Sequence, residues 1–230
     1  MARCAQQRMD KSRIPADQSS DADLLSAASL ELGLQLSEEQ IHRLIAYTDC
    51  LEKWNGAYNL TAIRDRSTML QRHIIESLAI APYVAGCRIA DVGTGAGLPG
   101  IPLAIAAPDR EYVLLDSNSK KTRFLSEVKR LLGLSNIKVE TARVETWHPE
   151  PPVDAVITRA FADLPTTFKR IDHLLGDHGV LFAMKTESVS EELTALPEGI
   201  QHTATQHIVV PGRQWGFQLL TFNRLGGALP

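Results

Sequence analysis

The stretch Asp91-Val92-Gly93-Thr94-Gly95-Ala96-Gly97-Leu98-Pro99-Gly100 holds the densest chemical information in the chain. It follows an apolar run and opens a helical one, so it reads as a strand-to-helix turn. Glycine lacks a Cβ, so the backbone can bend sharply there and a ligand can lie against main-chain atoms. Two ligand classes compete for this turn. Gly95-Ala96-Gly97-Leu98-Pro99-Gly100 matches G-x-G-x-x-G, the spacing of dinucleotide-binding turns, and points to a nicotinamide-dependent oxidoreductase. Read from Asp91, the spacing is Asp-x-Gly-x-Gly-x-Gly. A carboxylate at the strand end repels the phosphates that a helix N-terminus attracts, and suits a cationic ligand better. A second carboxylate closes Tyr112-Val113-Leu114-Leu115-Asp116, 19 residues after Gly97. There Asp116 can accept both hydroxyls of a ribose, a feature that NAD and other adenosine ligands share. The bland alternatives are a turn that holds nothing and an acid at a helix N-terminus.

The acidic form of the turn resembles motif I of S-adenosylmethionine-dependent methyltransferases. Their methyl donor carries an ammonium and a sulfonium, the charges that an acid at position 91 favours. This resemblance implies S-adenosyl-L-methionine as the cofactor, with Gly93 and Gly95 in its cradle.

Such a turn needs a sheet to hold it. From Cys87 onward, short apolar runs alternate with helical stretches. The runs are Arg88–Val92, Tyr112–Leu115, Ile137–Val139, Val153–Thr158 and Val180–Met184. The helices expected between them are Leu98–Ala107, Ser119–Leu132, Leu164–Leu175 and Val189–Leu196, with Gly133 and Gly176 placed as helix-ending glycines. The alternation predicts an α/β fold with a parallel sheet covered on both faces. Gln201–Val210 and Trp215–Asn223 have only Pro211-Gly212 and its neighbours between them, which predicts a hairpin that adds an antiparallel strand. Upstream, Ser37-Glu38-Glu39-Gln40 has the form of a capping box. Ile41, Leu44, Ile45, Thr48, Leu51 and Trp54 then recur at helical spacing, with Gly56 as the expected stop. A second amphipathic stretch runs from Met69 to about Val84. The expected organisation is a flexible tail (1–20), a helical cap (21–85) and a methyltransferase domain (86–230).

Bulk composition limits the rest. The chain has 230 residues, 44% of them hydrophobic, and a net charge of −3. It contains no apolar run of the length that spans a bilayer, and no apolar segment follows the basic N-terminus, so no membrane association is expected. Cys4, Cys50 and Cys87 are isolated, which argues against disulfides and zinc and for the reducing cytoplasm. The seven histidines show no metal spacing; His202 and His207, five apart in a strand, are expected on opposite faces. The acidic balance gives no support to general nucleic-acid binding, so any such contact needs a local patch. Lys120, Arg123 and Arg130 on one face of a helix form one candidate; Arg64, Arg66 and Arg72 form another.

With these residues in view, the sequence resembles the RsmG family, also called GidB, bacterial methyltransferases of small-subunit ribosomal RNA. The resemblance runs from about Ser37 to Met184. It is carried by Trp54-Asn55-x-x-Tyr58-Asn59-Leu60-Thr61, Arg72-His73-Ile74-x-Glu76-Ser77-Leu78, the glycine turn continued through Leu98-Pro99-Gly100-Ile101-Pro102, and Thr158-Arg159-Ala160-Phe161-Ala162. It implies a Rossmann-like, seven-stranded class I fold with an N-terminal helical extension. It also implies methyl transfer to N7 of one guanine in the decoding region of 16S rRNA. The modest overall basicity points to a 30S ribosomal particle as the substrate, and a monomer is expected. By the same resemblance Gly93 and Leu98 line the cofactor, Val144 and Glu145 lie beside its adenine, and Arg159 belongs to its site. Position 76 carries Glu where the family usually has Asp. Gln214-Trp215-Gly216-Phe217-Gln218 replaces the family's common Glu-Arg-His-Leu-like run, which leaves a ribosome-binding module without catalysis as an alternative. Guanine N7 has a free lone pair and no proton to lose, so its methylation demands alignment rather than a general base.

Overall fold

The computed structural model describes residues 16–186, 189–214 and 216–225. Helices α1 (Ala16–Glu31) and α2 (Glu38–Tyr58) come first. They are followed by α3 (Arg66–Met69), a π-helical segment (Leu70–Ile75) and α4 (Glu76–Leu78), which run on without a break. The remainder alternates: β1 (Arg88–Val92), α5 (Gly100–Ala106), β2 (Glu111–Asp116), α6 (Ser119–Leu132), β3 (Ile137–Thr141), β4 (Val153–Arg159), α7 (Leu164–Ile171), β5 (Leu175–Lys185), α8 (Ser190–Thr194), β6 (Ile200–Val209) and β7 (Gly216–Arg224). The sheet order is β3-β2-β1-β4-β5-β7-β6. Strands β1 to β5 pair in parallel, and β7 runs antiparallel to both β5 and β6. This is the expected mostly parallel sheet closed by a hairpin. The first fifteen residues of the expected tail lie outside the described residues.

Local chemistry explains the elements. Ser37 and Gln40 form the capping box: the Ser37 hydroxyl accepts from the Gln40 amide at 3.2 Å, and Gln40 Oε1 accepts from the Ser37 amide at 2.9 Å. Helix α6 is bounded by Asn118, whose side chain caps Lys120, and by Gly133 in the left-handed conformation at φ 63°. Strands β1 and β2 open on the half-buried Arg88 and Glu111, are buried and apolar through their middles, and carry the acids Asp91 and Asp116 toward their carboxyl ends. Two apolar layers flank the sheet. One packs α1, α2, α5 and α6 against Ile89, Leu114 and Ile157; the other packs Leu164, Phe168 and Ile171 of α7 against Val92, Val156 and Leu181. The first layer is continuous from the helical cap into the sheet, with Tyr47 and Trp54 of α2 meeting Phe124 of α6 at 6.5 and 5.6 Å between ring centroids.

Several expectations are corrected. Gly56 does not stop α2, which continues to Tyr58 and ends at Asn59, itself left-handed at φ 49°. Gly176 ends no helix: α7 finishes at Ile171, a 3₁₀ turn follows, and β5 already begins at Leu175. His202 and His207 share a face, because the register slips between His202 and Ala204 and pairs them with Phe222 and Gln218, which have the same parity on β7. Arg66 belongs to no phosphate patch, since Asp21, Asp49 and Glu52 hold its guanidinium at 2.7, 2.7 and 3.0 Å.

Candidate functional site

The carboxyl ends of β1 to β5 lie along one edge of the sheet, and the order reverses between β1 and β4. In open α/β sheets, ligands bind outside the strand ends at such a switch point. The glycine turn rises from β1 at that point. Gly93, Gly95 and Gly97 all have positive φ, at 71°, 62° and 95°. Space restricts two of them further. A Cβ on Gly97 would stand 2.5 Å from Ile101 and 2.9 Å from Leu125, and one on Gly93 would stand 2.8 Å from the Phe161 ring. The turn is tied to β2 by the amides of Gly93 and Thr94, both donating to the Leu115 carbonyl.

Asp91 sits beneath the turn and is 1% exposed. Its Oδ2 accepts from Thr94 Oγ1 at 2.7 Å and from the Gly100 amide at 2.8 Å. Its Oδ1 is buried without a partner among the described residues. Burial raises its pKa to about 6, against the bonds from Thr94 and Gly100 and the positive charge of Arg159, which lower it. Buried polar atoms are ordinarily paired, so an orphaned carboxylate oxygen here fits a cationic guest.

Asp116 is 7% exposed. Its Oδ2 accepts from the Gly95 amide at 3.0 Å, its Oδ1 accepts from the Asn118 amide at 2.8 Å, and Lys121 Nζ stands 3.5 Å from Oδ2. These bonds leave lone pairs of both oxygens free to accept from hydroxyls. Asp116 lines a cavity of about 240 Å³ together with Gly93, Val144, Glu145, Phe161 and Arg170. Val144 and Glu145 stand in a 3₁₀ turn after β3, with Val144 buried and Glu145 exposed. Arg170 faces both walls: its Nε is 3.4 Å from Glu145 Oε1, and its guanidinium lies 5.7 Å from the Phe161 ring centre.

Four of the seven residues expected at the site therefore line one cavity: Gly93, Asp116, Val144 and Glu145. Gly95 joins them through its bond to Asp116. Leu98 is buried beneath the turn, 9% exposed. Arg159 faces elsewhere, in an adjoining cavity of about 280 Å³ with Glu76, Met184, Lys185, Val189 and Phe217. Its Nη2 donates to Glu76 Oε1 at 2.8 Å and to the Arg72 carbonyl at 2.9 Å. The segment Arg159-Ala160-Phe161 runs between the two cavities, with Ala160 at φ 49°. Lys185 steadies the chain that follows, donating to the Ala162 carbonyl at 2.8 Å and to Glu192 at 2.9 Å, while Glu192 accepts from the Leu164 amide.

Sequence reasoning gave no role to Tyr47, Phe161 or Arg170. Tyr47 is fully buried on α2, and its hydroxyl donates to the Ala96 carbonyl in the turn at 2.7 Å. Burial, then the Asp91 charge, pushes its phenol well above the ordinary range, so it remains a donor. A single tyrosine on a helix face carries no signal of such a contact. Phe161 lay inside a family segment, which was the available sign. Two other family segments prove to hold the backbone. Asn55 donates to Ile63 and accepts from Thr61, and Thr61 Oγ1 bonds His73 Nε2 at 2.8 Å. These contacts fix the reversal that leads into the π-helical segment.

Comparison with known proteins agrees with this geometry. Residues 40–218 match the GidB family, described as rRNA small subunit methyltransferase G. Two relatives bear the name Ribosomal RNA small subunit methyltransferase G. One from Saccharophagus degradans is 49% identical over 185 residues, covering 80% of this chain and 82% of its own length. One from Pseudomonas paraeruginosa is 47% identical over 204 residues, covering 88% and 95%. Two solved structures share the fold. M. jannaschii TYW2 in complex with AdoMet has a TM-score of 0.53 at 20% identity, over 67% of this chain and 77% of that one. A SAM-dependent methyltransferase from Aquifex aeolicus has a TM-score of 0.52 at 17% identity, over 67% and 92%. The glycine turn alone left a dinucleotide reading open; the match over most of the chain closes it, and the chain belongs to the GidB family of rRNA small subunit methyltransferases, with a class I S-adenosylmethionine-dependent fold.

Proposed function

We propose that this protein transfers the methyl group of S-adenosyl-L-methionine to N7 of a guanine in the decoding region of 16S rRNA, acting on a 30S particle as a cytoplasmic monomer. The observation that carries the reading is the turn at the β1–β4 switch point, with the orphaned carboxylate oxygen of Asp91 beneath it and Asp116 beside it. When bound, the cofactor supplies an electrophilic methyl on a sulfonium. Asp116 holds the ribose hydroxyls, Val144 and Glu145 border the adenine, and Gly93, Gly95 and Leu98 keep the turn low enough for close approach. Asp91 offers its charge to the cationic end. Arg159, which lines the adjoining cavity, contributes to the site through its charge, which acts on Asp91.

The chain needs no general base, because N7 carries no proton. Its residues contribute by aligning the groups and excluding water, which can supply roughly 7–11 kcal/mol of the barrier. Phosphate contacts fall to the outer face of α6, where Lys120 and Arg123 are exposed; Arg130 is exposed too but is shared with Glu127 at 2.7 Å. The guanine and the decoding region rest on the family resemblance and on the chemistry of the base, and the particle rests on the modest overall basicity of the chain.

The test is calorimetric titration with S-adenosylmethionine, followed by methylation of 30S particles from cells that lack the protein, with mass spectrometry of the 16S rRNA. Micromolar binding and one new 7-methylguanosine are expected. Folded protein that neither binds nor methylates refutes the reading. Particle binding without methyl transfer would instead mark a ribosome-binding module.

A further inference from the structure

We propose that the cavity containing Arg159 is the pocket for the target guanine, and that Glu76 reads its Watson–Crick edge. This rests on the methyltransferase reading above. The cavity, of about 280 Å³, lies at the ends of β4 and β5, across the Arg159-Ala160-Phe161 segment from the cavity that contains Asp116. An acceptor base must sit beside the donor site but not within it, and this is the adjoining hollow. Its walls combine the buried apolar side chains of Met184, Val189 and Phe217 with the charged groups of Glu76, Arg159 and Lys185. Enzymes that act on a base turn it out of its stack, wedge it between apolar walls and read its Watson–Crick edge by hydrogen bonds.

The polar atoms match guanine. Glu76 is 4% exposed; its Oε1 accepts from Arg159 Nη2, and its Oε2 is buried with no partner among the described residues. Arg159 Nη1 is likewise buried with no partner among the described residues. A carboxylate accepts from the neighbouring N1–H and N2–H₂ of guanine, and a guanidinium beside it donates to O6. Adenine presents an acceptor at N1 and no amino group at C2, so the same carboxylate repels it. Held by this edge, guanine keeps N7 on its opposite side, free for the methyl group. Glu76 directly follows the π-helical segment, and such insertions often mark functional sites.

The experiment uses 30S particles reconstituted with guanosine or inosine at the target position. Inosine keeps N7 and O6 but lacks the 2-amino group. The wild-type protein is expected to favour guanosine by about tenfold or more in kcat/KM. E76Q is expected to lower kcat/KM for guanosine by about ten- to a hundredfold and to bring the guanosine-to-inosine ratio near one. Its affinity for S-adenosylmethionine should stay within about twofold of wild type, and E76D should keep the guanosine preference. Indifference of the wild type to the base overturns the proposal, and so does an E76Q protein that keeps the preference or loses donor affinity in parallel. If circular dichroism shows E76Q unfolded, the wild-type ratio decides alone. A wild type that binds no S-adenosylmethionine overturns the functional reading and this proposal together; one that methylates but ignores the base overturns only this proposal.

Discussion

Asp91 and His73 are both buried near Arg159, and their protonation pulls stability in opposite directions. Burial raises Asp91 from 3.8 to about 6, so the native state favours the protonated acid. That contribution is complete below pH 4 and is lost as pH rises toward 6. Burial, reinforced by Arg159, lowers His73 from 6.5 to about 4, so the native state favours the neutral ring. That contribution is complete above pH 6.5 and is lost as pH falls toward 4. Replacing Asp91 by Asn removes only the first. Relative to wild type, D91N should therefore gain up to about 3 kcal/mol between pH 4 and pH 7, read by urea denaturation at both values, while its affinity for S-adenosylmethionine drops. No relative gain would mean that Asp91 is not desolvated as its burial implies. Gly93 has a different vulnerability. At φ 71°, with the Phe161 ring 2.8 Å from an added Cβ, G93A is strained and displaces the ring. A loss of about 1–2 kcal/mol in stability and a larger loss in donor affinity are expected, the latter measured by calorimetry.

Among the helices and strands, the cap matters because α2 is tied both to the glycine turn and to the far end of the helix that follows it. Helix α2 sends Tyr47 to the Ala96 carbonyl, and the side-chain Nε2 of its Gln40 donates to the Ile105 and Ala106 carbonyls at the end of α5. Y47F leaves the Ala96 carbonyl buried and unpaired, which costs about 1–3 kcal/mol. Chemical denaturation should show that loss, and hydrogen exchange should show faster opening confined to the glycine turn; unchanged exchange there would refute the tether. The segment from α3 to α4 brings Arg72, His73 and Glu76 to the ends of β4 and β5. Arg66 joins that segment to α1 and α2 through its three carboxylates. Lys185 and Glu192 fix the chain after β4, which carries Phe161 over Gly93.

The two apolar layers make the sheet a rigid platform, and the cap shares one of them, so ligand binding at the switch point draws on the stability of the full fold. A ligand that binds only the native state stabilises it by about 2.7 kcal/mol at a hundredfold excess over Kd. S-adenosylmethionine at that excess should raise Tm by several degrees, and an equal concentration of NADH should leave it unchanged. A shift with NADH alone would reverse the assignment of the turn. The departure at 214–218 also finds a place. Gly216 lies so close to the Ile208 carbonyl of β6 that a Cβ would overlap it, and Phe217 walls the second cavity. Trp215 lies outside the described residues.

Much of this was readable from residue order, because it depends on local chemistry. Buried parallel strands must be apolar runs, so β1 was found with its observed bounds. Gly133 supplies a stop after an amphipathic run, so α6 was too, while its Asn118 cap emerged only from the structure. Alternating glycines after a strand need no partner to declare a turn. The remainder depends on which distant groups meet, and no periodicity encodes that. Gly56 and Gly176 looked like stops because their type permits it, but α2 runs past Gly56 to a left-handed Asn59 and Gly176 is drawn into β5. His202 and His207 changed parity through a bulge visible only in the pairing with β7. Arg66 read as a phosphate ligand until folding brought three carboxylates around it. The site divides the same way: Asp91, Gly93 and Asp116 announce themselves, whereas Tyr47 carries no signal, and Phe161 and Glu76, marked only as members of family segments, take their roles from the surfaces they are packed against.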